Sequence, residues 1–303
     1  MIALIAGTGA LPAALVTELQ AQGETPLICV FGNFEPDVSS DLPRLRFRLE
    51  TLGSFISELQ RYGVTEVCLA GAVRRPEVDP SLIDAETAPL VPRLMAALGQ
   101  GDDGALRVIL SIFEEAGIAI RAAHEIAPAL LPPSGVLTVV RPSDQNSTDA
   151  AVGQAFVADM GRRDSGQACV VRAGEVIAEE GPDGTDAMIG RLCLPTENPD
   201  PVDFGVGFVD VAVSAFRGVQ RLLTDDVPTP LLGESAILFK APKPNQDRRA
   251  DLPVIGPKTA LGAAEAGMDG IVIEAGGVMV MDLPQVIATL DAHGMFLWVR
   301  ARG

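Results

Sequence analysis

Residues 240–256, KAPKPNQDRRADLPVIG, concentrate charge inside an otherwise apolar, glycine-rich chain. Lys240, Lys243, Arg248 and Arg249 share this short segment with Asp247 and Asp251. Pro242, Pro244 and Pro253 fix their own φ, lack an N–H donor and push the residues before them towards extended geometry, so no unbroken helix can form here. Mixed charge on a stiff, irregular segment suits a phosphorylated ligand bound with a metal ion. The cations would hold phosphate oxygens, and the carboxylates would hold Mg²⁺ or activate water. The same composition also fits a solvated, salt-bridged loop.

Other polar groups lie on turns. Gly7-Thr8-Gly9 follows an apolar run and precedes Leu11, Leu15 and Leu19, a stripe at helical spacing that ends at Gly23. A strand–turn–helix of this kind offers backbone N–H groups and a positive dipole end to an anion. Pro12 stands where the dinucleotide fingerprint has its third glycine, and Glu35 is a poor match to a ribose-binding acid. The turn therefore suits a phosphate or sugar better than a full dinucleotide, and a purely structural turn accounts for it equally well. In GPDGTDAM, Asp183, Thr185 and Asp186 can contact a metal or phosphate, or can form a turn and helix cap. Arg74 and Arg75 emerge beyond the carboxyl end of a strand, where α/β sheets bind ligands. Asp102 and Asp103 fit a helix start or a functional role equally well, and His124 fits a hydrogen-bonded structural position better than a catalytic one.

The elements that must position these groups alternate between strand and helix. Strands are expected at residues 2–6, 26–31, 45–49, 66–70 and 118–122, with helices near 11–23, 55–62, 90–98 and 105–116. The proline-rich residues 126–133 read as a linker. They divide an N-terminal Rossmann-like βαβ domain (1–130) from a C-terminal mixed α/β domain (131–303). In the second half, strands are expected at 136–140, 168–172, 175–178, 236–239, 270–274 and 296–299. Helices are expected at 148–160, 208–222, 261–266 and 283–292. Ala173-Gly174 reads as a hairpin turn, and so does Gly276-Gly277, leading into residues 278–281.

Composition narrows the function classes. A chain of 303 residues with 48% hydrophobic content can bury two cores, and with aromatics at 4% it must build them from aliphatic side chains. A net charge of −17 without a basic stripe argues against nucleic acid as a partner and gives no general attraction to an anionic membrane. Cys29, Cys68, Cys169 and Cys193 form no C-x-x-C pair and read as buried thiols of a reducing compartment. With His124 and His293 the only histidines, a zinc site is poorly supported. The N-terminus lacks a basic region and reads as a first strand, not a signal peptide.

LIAGTGALP, GDDGALR, AAHEI, GTDAM, KAPKPNQDRRADLPVIG, GMDGIVIEAGGVMVMD and the ending FLWV occur in this order over nearly the whole chain. Together they resemble the LpxI family of UDP-2,3-diacylglucosamine pyrophosphatases. The resemblance implies two domains with the site in the cleft between them. It also implies a Mg²⁺-dependent reaction (Mn²⁺ or another divalent cation could serve) in Gram-negative lipid A biosynthesis. UDP-2,3-diacylglucosamine would be hydrolysed to UMP and 2,3-diacylglucosamine 1-phosphate. The protein would be cytoplasmic, making transient peripheral contact with the inner face of the inner membrane to exchange lipid. By resemblance, Asp251 is the key acid, as Mg²⁺ ligand or as the group that orients water. Lys240, Lys243 and Arg249 match phosphate-binding positions, and Gln246 matches a polar one. Thr185 and Asp186 match a hydroxyl–acid pair, with Asp186 a second metal ligand, and Gly9 with Ala10 matches a turn close to the ligand. The chain departs from the family at Ala72, where asparagine is frequent, and in a longer stretch over residues 196–233. The two acyl chains need a hydrophobic groove, for which the second domain has the residues. A non-catalytic nucleotide-sugar or lipid-phosphate binding protein and a Rossmann-type oxidoreductase are the competing readings. Oligomeric state stays open, a homo-oligomer included.

Overall fold

The computed structural model of the chain describes residues 1–73, 77–98, 102–193, 235–244 and 246–302. Arg74, Arg75, the expected helix at 208–222 and the long stretch at 196–233 lie outside the described residues.

The N-terminal half forms a five-stranded, all-parallel sheet from β1 (Ile2–Ala6), β2 (Leu27–Phe31), β3 (Arg44–Phe47), β4 (Glu66–Ala70) and β5 (Ala119–Ile120). Its order is β3-β2-β1-β4-β5, so the order in which strands are added reverses between β1 and β4. The helices are α1 (Leu11–Ala21), α2 (Leu52–Arg61), α3 (Val91–Leu98), α4 (Asp102–Glu115) and the short α5 (Ala123–Ile126). Strand residues alternate faces. Ile2, Leu4 and Ala6 pack with α1 and α5, whereas Ala3 and Ile5 pack with α2 and α4. Both faces are covered, and this is why β1 is apolar throughout. The proline-rich residues 126–133 are packed in part. Ile126, Ala127 and Leu130 are buried in the first of these clusters.

The second half forms a mixed six-stranded sheet in the order β6-β13-β11-β9-β7-β8. Its strands are β6 (Gly135–Val136), β7 (Ala168–Arg172), β8 (Glu175–Glu179), β9 (Ala236–Lys240), β11 (Gly270–Glu274) and β13 (Phe296–Arg300). β10 (Val254–Ile255) and β12 (Met279–Val280) form a separate two-stranded parallel ladder. α6 (Asp144–Arg162) covers one face of the large sheet; α7 (Thr185–Leu192), α8 (Pro257–Glu265) and α9 (Leu283–Ala292) cover the other. The β7–β8 hairpin turns at Ala173 and Gly174, both with positive φ. The hairpin expected at Gly276-Gly277 does not form. Both edges of β11 are already occupied by the parallel strands β9 and β13, so the chain beyond the turn pairs with β10 instead.

The β10–β12 ladder joins the halves. Met279 and Leu252 are buried in the N-terminal cluster, and Val254 and Met281 pack against it. Ile255, Val278 and Val280 point the other way, into the C-terminal cluster. A period of two distributes one short ladder between two cores.

At the carboxyl edge of the first sheet, the turns after β1 and β4 are tied together. Gly7 N–H donates to the Ala70 carbonyl at 2.8 Å, and Thr8 and Ala72 exchange backbone hydrogen bonds at 2.9 Å each. A Cβ on Gly71, whose φ is +88°, would lie 2.6 Å from the Thr8 carbonyl oxygen. Gly23 also has a positive φ, +80°, but faces open space. Both Gly→Ala variants should lose roughly 1–3 kcal/mol to the left-handed backbone. Gly71→Ala should lose more because of the clash. Urea unfolding midpoints compare them, and equal losses would mean that the close approach contributes nothing.

Candidate functional site

A cavity of about 480 Å³ lies where the stitched turns of the first sheet meet the charged segment of the second half. Thr8, Gly9, Ala10, Gly71, Ala72 and His124 come from the N-terminal half; Gln167, Asp186, Arg248, Arg249, Asp251 and Met279 come from the other. The location follows from topology. Diverging loops at the β1/β4 switch point leave a crevice beyond the strand ends. α1 starts at this crevice behind Ala10, which provides no side-chain cap for the helix N–H groups.

Asp251 is held by Gln246, whose Nε2 donates to Oδ2 at 2.5 Å. Burial pushes the Asp251 carboxyl above its ordinary range. The Gln246 hydrogen bond and the charges of Lys243 and Lys240 pull it back, while Asp103 adds to the rise. Asp186 accepts from Thr259 Oγ1 at 3.0 Å and lies 3.2 Å from Lys258 Nζ. Gly9, Ala10, Asp186, Arg249 and Asp251 therefore share one cavity.

Thr185, Lys240, Lys243 and Gln246 are not among its lining residues, and the cations of the segment, Arg249 included, are paired with carboxylates. Lys240 is 4% exposed; its Nζ donates to Thr185 Oγ1 at 2.5 Å and lies 3.6 Å from Glu180 Oε1. Thr185 in turn donates to the same Glu180 oxygen at 2.5 Å. Burial pushes the Lys240 ammonium down, against the pull of Glu180 and Asp186. Lys243 pairs with Asp164 and lies 3.4 Å from Asp103. Burial lowers its pKa, but these two carboxylates outweigh burial and the balance is upward. Arg249 is chelated by Asp247 and reaches Glu114 of α4 at 2.6 Å, which raises its pKa. Asp183, a further candidate from the sequence, pairs with Arg191 and lines neither cavity.

Sequence reasoning missed several groups. His124, read as structural, lines the cavity and has a buried Nδ1 without a partner among the described residues. Gln167, which carried no signal, lines it too, with an equally unpartnered Oε1. Such atoms are completed by ligand or water. Glu180 is the buried anion that Lys240 requires, and it could have been sought as the counter-ion of a strand-end lysine.

A second cavity of about 420 Å³ adjoins the first and shares Leu69, Gly71, Ala72, Ala250 and Asp251 with it. Phe31, Phe47, Leu52, Leu106, Ile109 and Phe113 make it apolar. It is lined almost wholly by the N-terminal half, not by the second domain where the sequence suggested a groove.

Fold and cleft define a two-domain α/β protein with the layout of an enzyme: a shielded carboxylate and unpaired polar atoms in a crevice between two sheets, beside an apolar chamber. Family models for the LpxI N-terminal domain and the LpxI C-terminal domain match residues 1–130 and residues 133–202 and 206–298, respectively. The UDP-2,3-diacylglucosamine pyrophosphatase LpxI of Caulobacter vibrioides is 35% identical over 298 residues, which cover 98% of this chain and 96% of that protein. The chain belongs to the LpxI family.

The Asp251 environment makes a stability prediction for metal-free protein. Its folded pKa is raised, so above the ordinary carboxylate pKa the native state binds more protons than the unfolded chain. Stability from this group therefore falls as pH rises through that window. In EDTA, Asp251→Asn should be more stable than wild type at neutral pH, and the gap should narrow as pH falls towards about 4. Urea titrations across pH check this; a destabilised variant at neutral pH would contradict the assignment.

Proposed function

We propose that this chain hydrolyses the pyrophosphate bond of UDP-2,3-diacylglucosamine, releasing UMP and 2,3-diacylglucosamine 1-phosphate for lipid A biosynthesis. The observation that carries the reading is the junction of two unlike cavities at Asp251: one lined by glycine turns and by the charged side chains of Asp186, Arg248 and Arg249, the other predominantly apolar. A pyrophosphate bearing a nucleoside on one side and an acylated sugar on the other has this division of character. The name of the Caulobacter vibrioides relative, a UDP-2,3-diacylglucosamine pyrophosphatase, supports this choice of substrate.

In this reading the backbone around Gly9 and Ala10, at the start of α1, receives a phosphate. Lys240, Lys243 and Arg249 surround the Asp251 segment with positive charge, although their carboxylate partners limit direct contact. Asp251, with a raised pKa and one oxygen fixed by Gln246, orients water and accepts its proton as the water attacks phosphorus. The bond to the bridging oxygen breaks, and UMP and the lipid phosphate separate. The acyl chains occupy the apolar chamber.

Asp251 and Asp186 both line the cavity, whereas no group of three His, Cys, Asp or Glu residues able to hold a metal ion occurs among the described residues. This donor set fits Mg²⁺, which takes one or two carboxylates and completes its shell with water and substrate phosphates. Asp251 and Asp186 would hold the ion, and its chemistry when bound is to neutralise charge on the phosphate oxygens. No described helix is long and apolar enough to cross a membrane. Lipid exchange would then occur by transient contact at the cytoplasmic face of the inner membrane.

Purified protein with UDP-2,3-diacylglucosamine and Mg²⁺ should release UMP, as followed by chromatography. Absence of UMP with every divalent cation tried would sink the reading. Asp251→Ala should lower turnover by about 10²-fold or more with its circular dichroism unchanged. For the chamber, affinity should rise roughly fourfold per acyl methylene until the space is full. Leu106→Trp should raise KM for long-chain substrates more than for short-chain ones. A KM shift independent of chain length would place the acyl groups elsewhere.

A further inference from the structure

The turn between β11 and β12 makes no hairpin, yet it is tightly built. Glu274 ends β11 with a side chain only 9% exposed. Its Oε1 accepts a hydrogen bond from Nη2 of Arg248 at 2.9 Å, and Nη1 of Arg248 donates to the Gly276 carbonyl at 3.3 Å. Gly276 itself turns with φ of +64°. A Cβ on Gly277 would lie 2.9 Å from that same Glu274 oxygen and 2.8 Å from Cδ of Pro242. Glycine at 277 thus leaves room both for the carboxylate and for the proline of the charged segment. The sequence EAGG thus holds Arg248, while the other carboxylate oxygen of Glu274, Oε2, lies 3.8 Å from Arg302 Nε.

The two neighbouring arginines differ in what they have left to offer. Arg249 has Nε, Nη1 and Nη2 all on the carboxylates of Asp247 and Glu114. Arg248 spends two of its five N–H donors on the turn, and its Nε has no partner among the described residues. It is 39% exposed and lines the larger cavity together with Asp251 and the Gly9–Ala10 turn. A guanidinium anchored along one edge by a buried carboxylate presents its other edge pre-organised, and the planar fork matches phosphate oxygens.

We infer that Arg248 is the arginine that binds a phosphate oxygen of the substrate, and that Glu274 is its positioning residue, with Gly277 required for their contact. The identity of the anion rests on the pyrophosphate reading above. The contact itself is testable without turnover.

The probe is UDP, titrated calorimetrically into the full chain in the presence of Mg²⁺. Arg248→Ala should weaken UDP binding roughly 10- to 100-fold, the range of a hydrogen bond to a charged group. Glu274→Gln should weaken it several-fold, and Arg248→Ala/Glu274→Gln should bind no worse than Arg248→Ala alone, because Glu274 acts only through the arginine. Gly277→Ala, which displaces the carboxylate without removing it, should reproduce the effect of Glu274→Gln and guards against a folding defect in that variant. Unchanged affinity in Arg248→Ala, additive losses in the double variant, or no UDP binding by wild type would overturn the inference. A wild type that binds UDP through Arg248 and yet releases no UMP from the lipid substrate would instead overturn the hydrolase reading alone.

Discussion

The two-stranded ladder of Val254–Ile255 and Met279–Val280 is the constraint on which the cleft depends. Its alternation sends Met279 into one core and Ile255 and Val280 into the other. A one-residue slip in register would exchange those faces, moving side chains from one core to the other. Asp251 stands three residues before β10, and Leu252, also buried in the N-terminal core, lies between them. The carboxylate is therefore fixed relative to the glycine turns of the first sheet, although it belongs to the second half of the chain. The cleft is geometrically defined because hydrophobic burial on both sides defines it.

Charge in the site is organised by a different rule. An ammonium as buried as that of Lys240 needs a counter-ion and hydrogen-bond acceptors, and Glu180 and Thr185 supply them. Lys243 and Arg249 reach Asp103 and Glu114 of α4, so these ion pairs also cross between the halves. The charged segment thus neutralises most of its own cations before any ligand arrives. Among the described residues, what remains uncommitted at the cavity is small: the free edge of Arg248 and the unpartnered atoms of His124 and Gln167.

Much of the architecture was legible in the sequence because both sheets have clear apolar runs. Ile2–Ala6, Glu66–Ala70 and Gly270–Glu274 are all strands, and Leu11, Leu15 and Leu19 do form a buried helical stripe. The Gly276-Gly277 hairpin failed because a turn signal is local, whereas the availability of a partner strand is not. β9 and β13 had already taken both edges of β11. At residues 126–133 the prolines mark an irregular path, but the burial of Ile126 and Leu130 depends on what packs above them. In the site, residue types and spacing singled out the charged segment; Asp251, marked within it by the family resemblance, lines the cavity. They could not distinguish Arg248 from Arg249, since adjacent arginines differ only in their three-dimensional partners. His124 and Gln167 gave no signal because an unpaired buried atom is a property of the fold alone.

The glycine turns beneath the cavity have a further consequence. Thr8 and Ala72 are joined through their peptide groups, and Ala10 opens α1 without using its side chain as a cap. A wall made of main-chain donors has little for alanine scanning to remove. Exchanges at Ala10 or Ala72 leave every N–H in place, so this part of the surface can accept drift in side-chain identity while keeping its shape. A survey that ranks positions by loss of function on side-chain replacement would pass over it, and only changes that alter the path of the chain would reveal it.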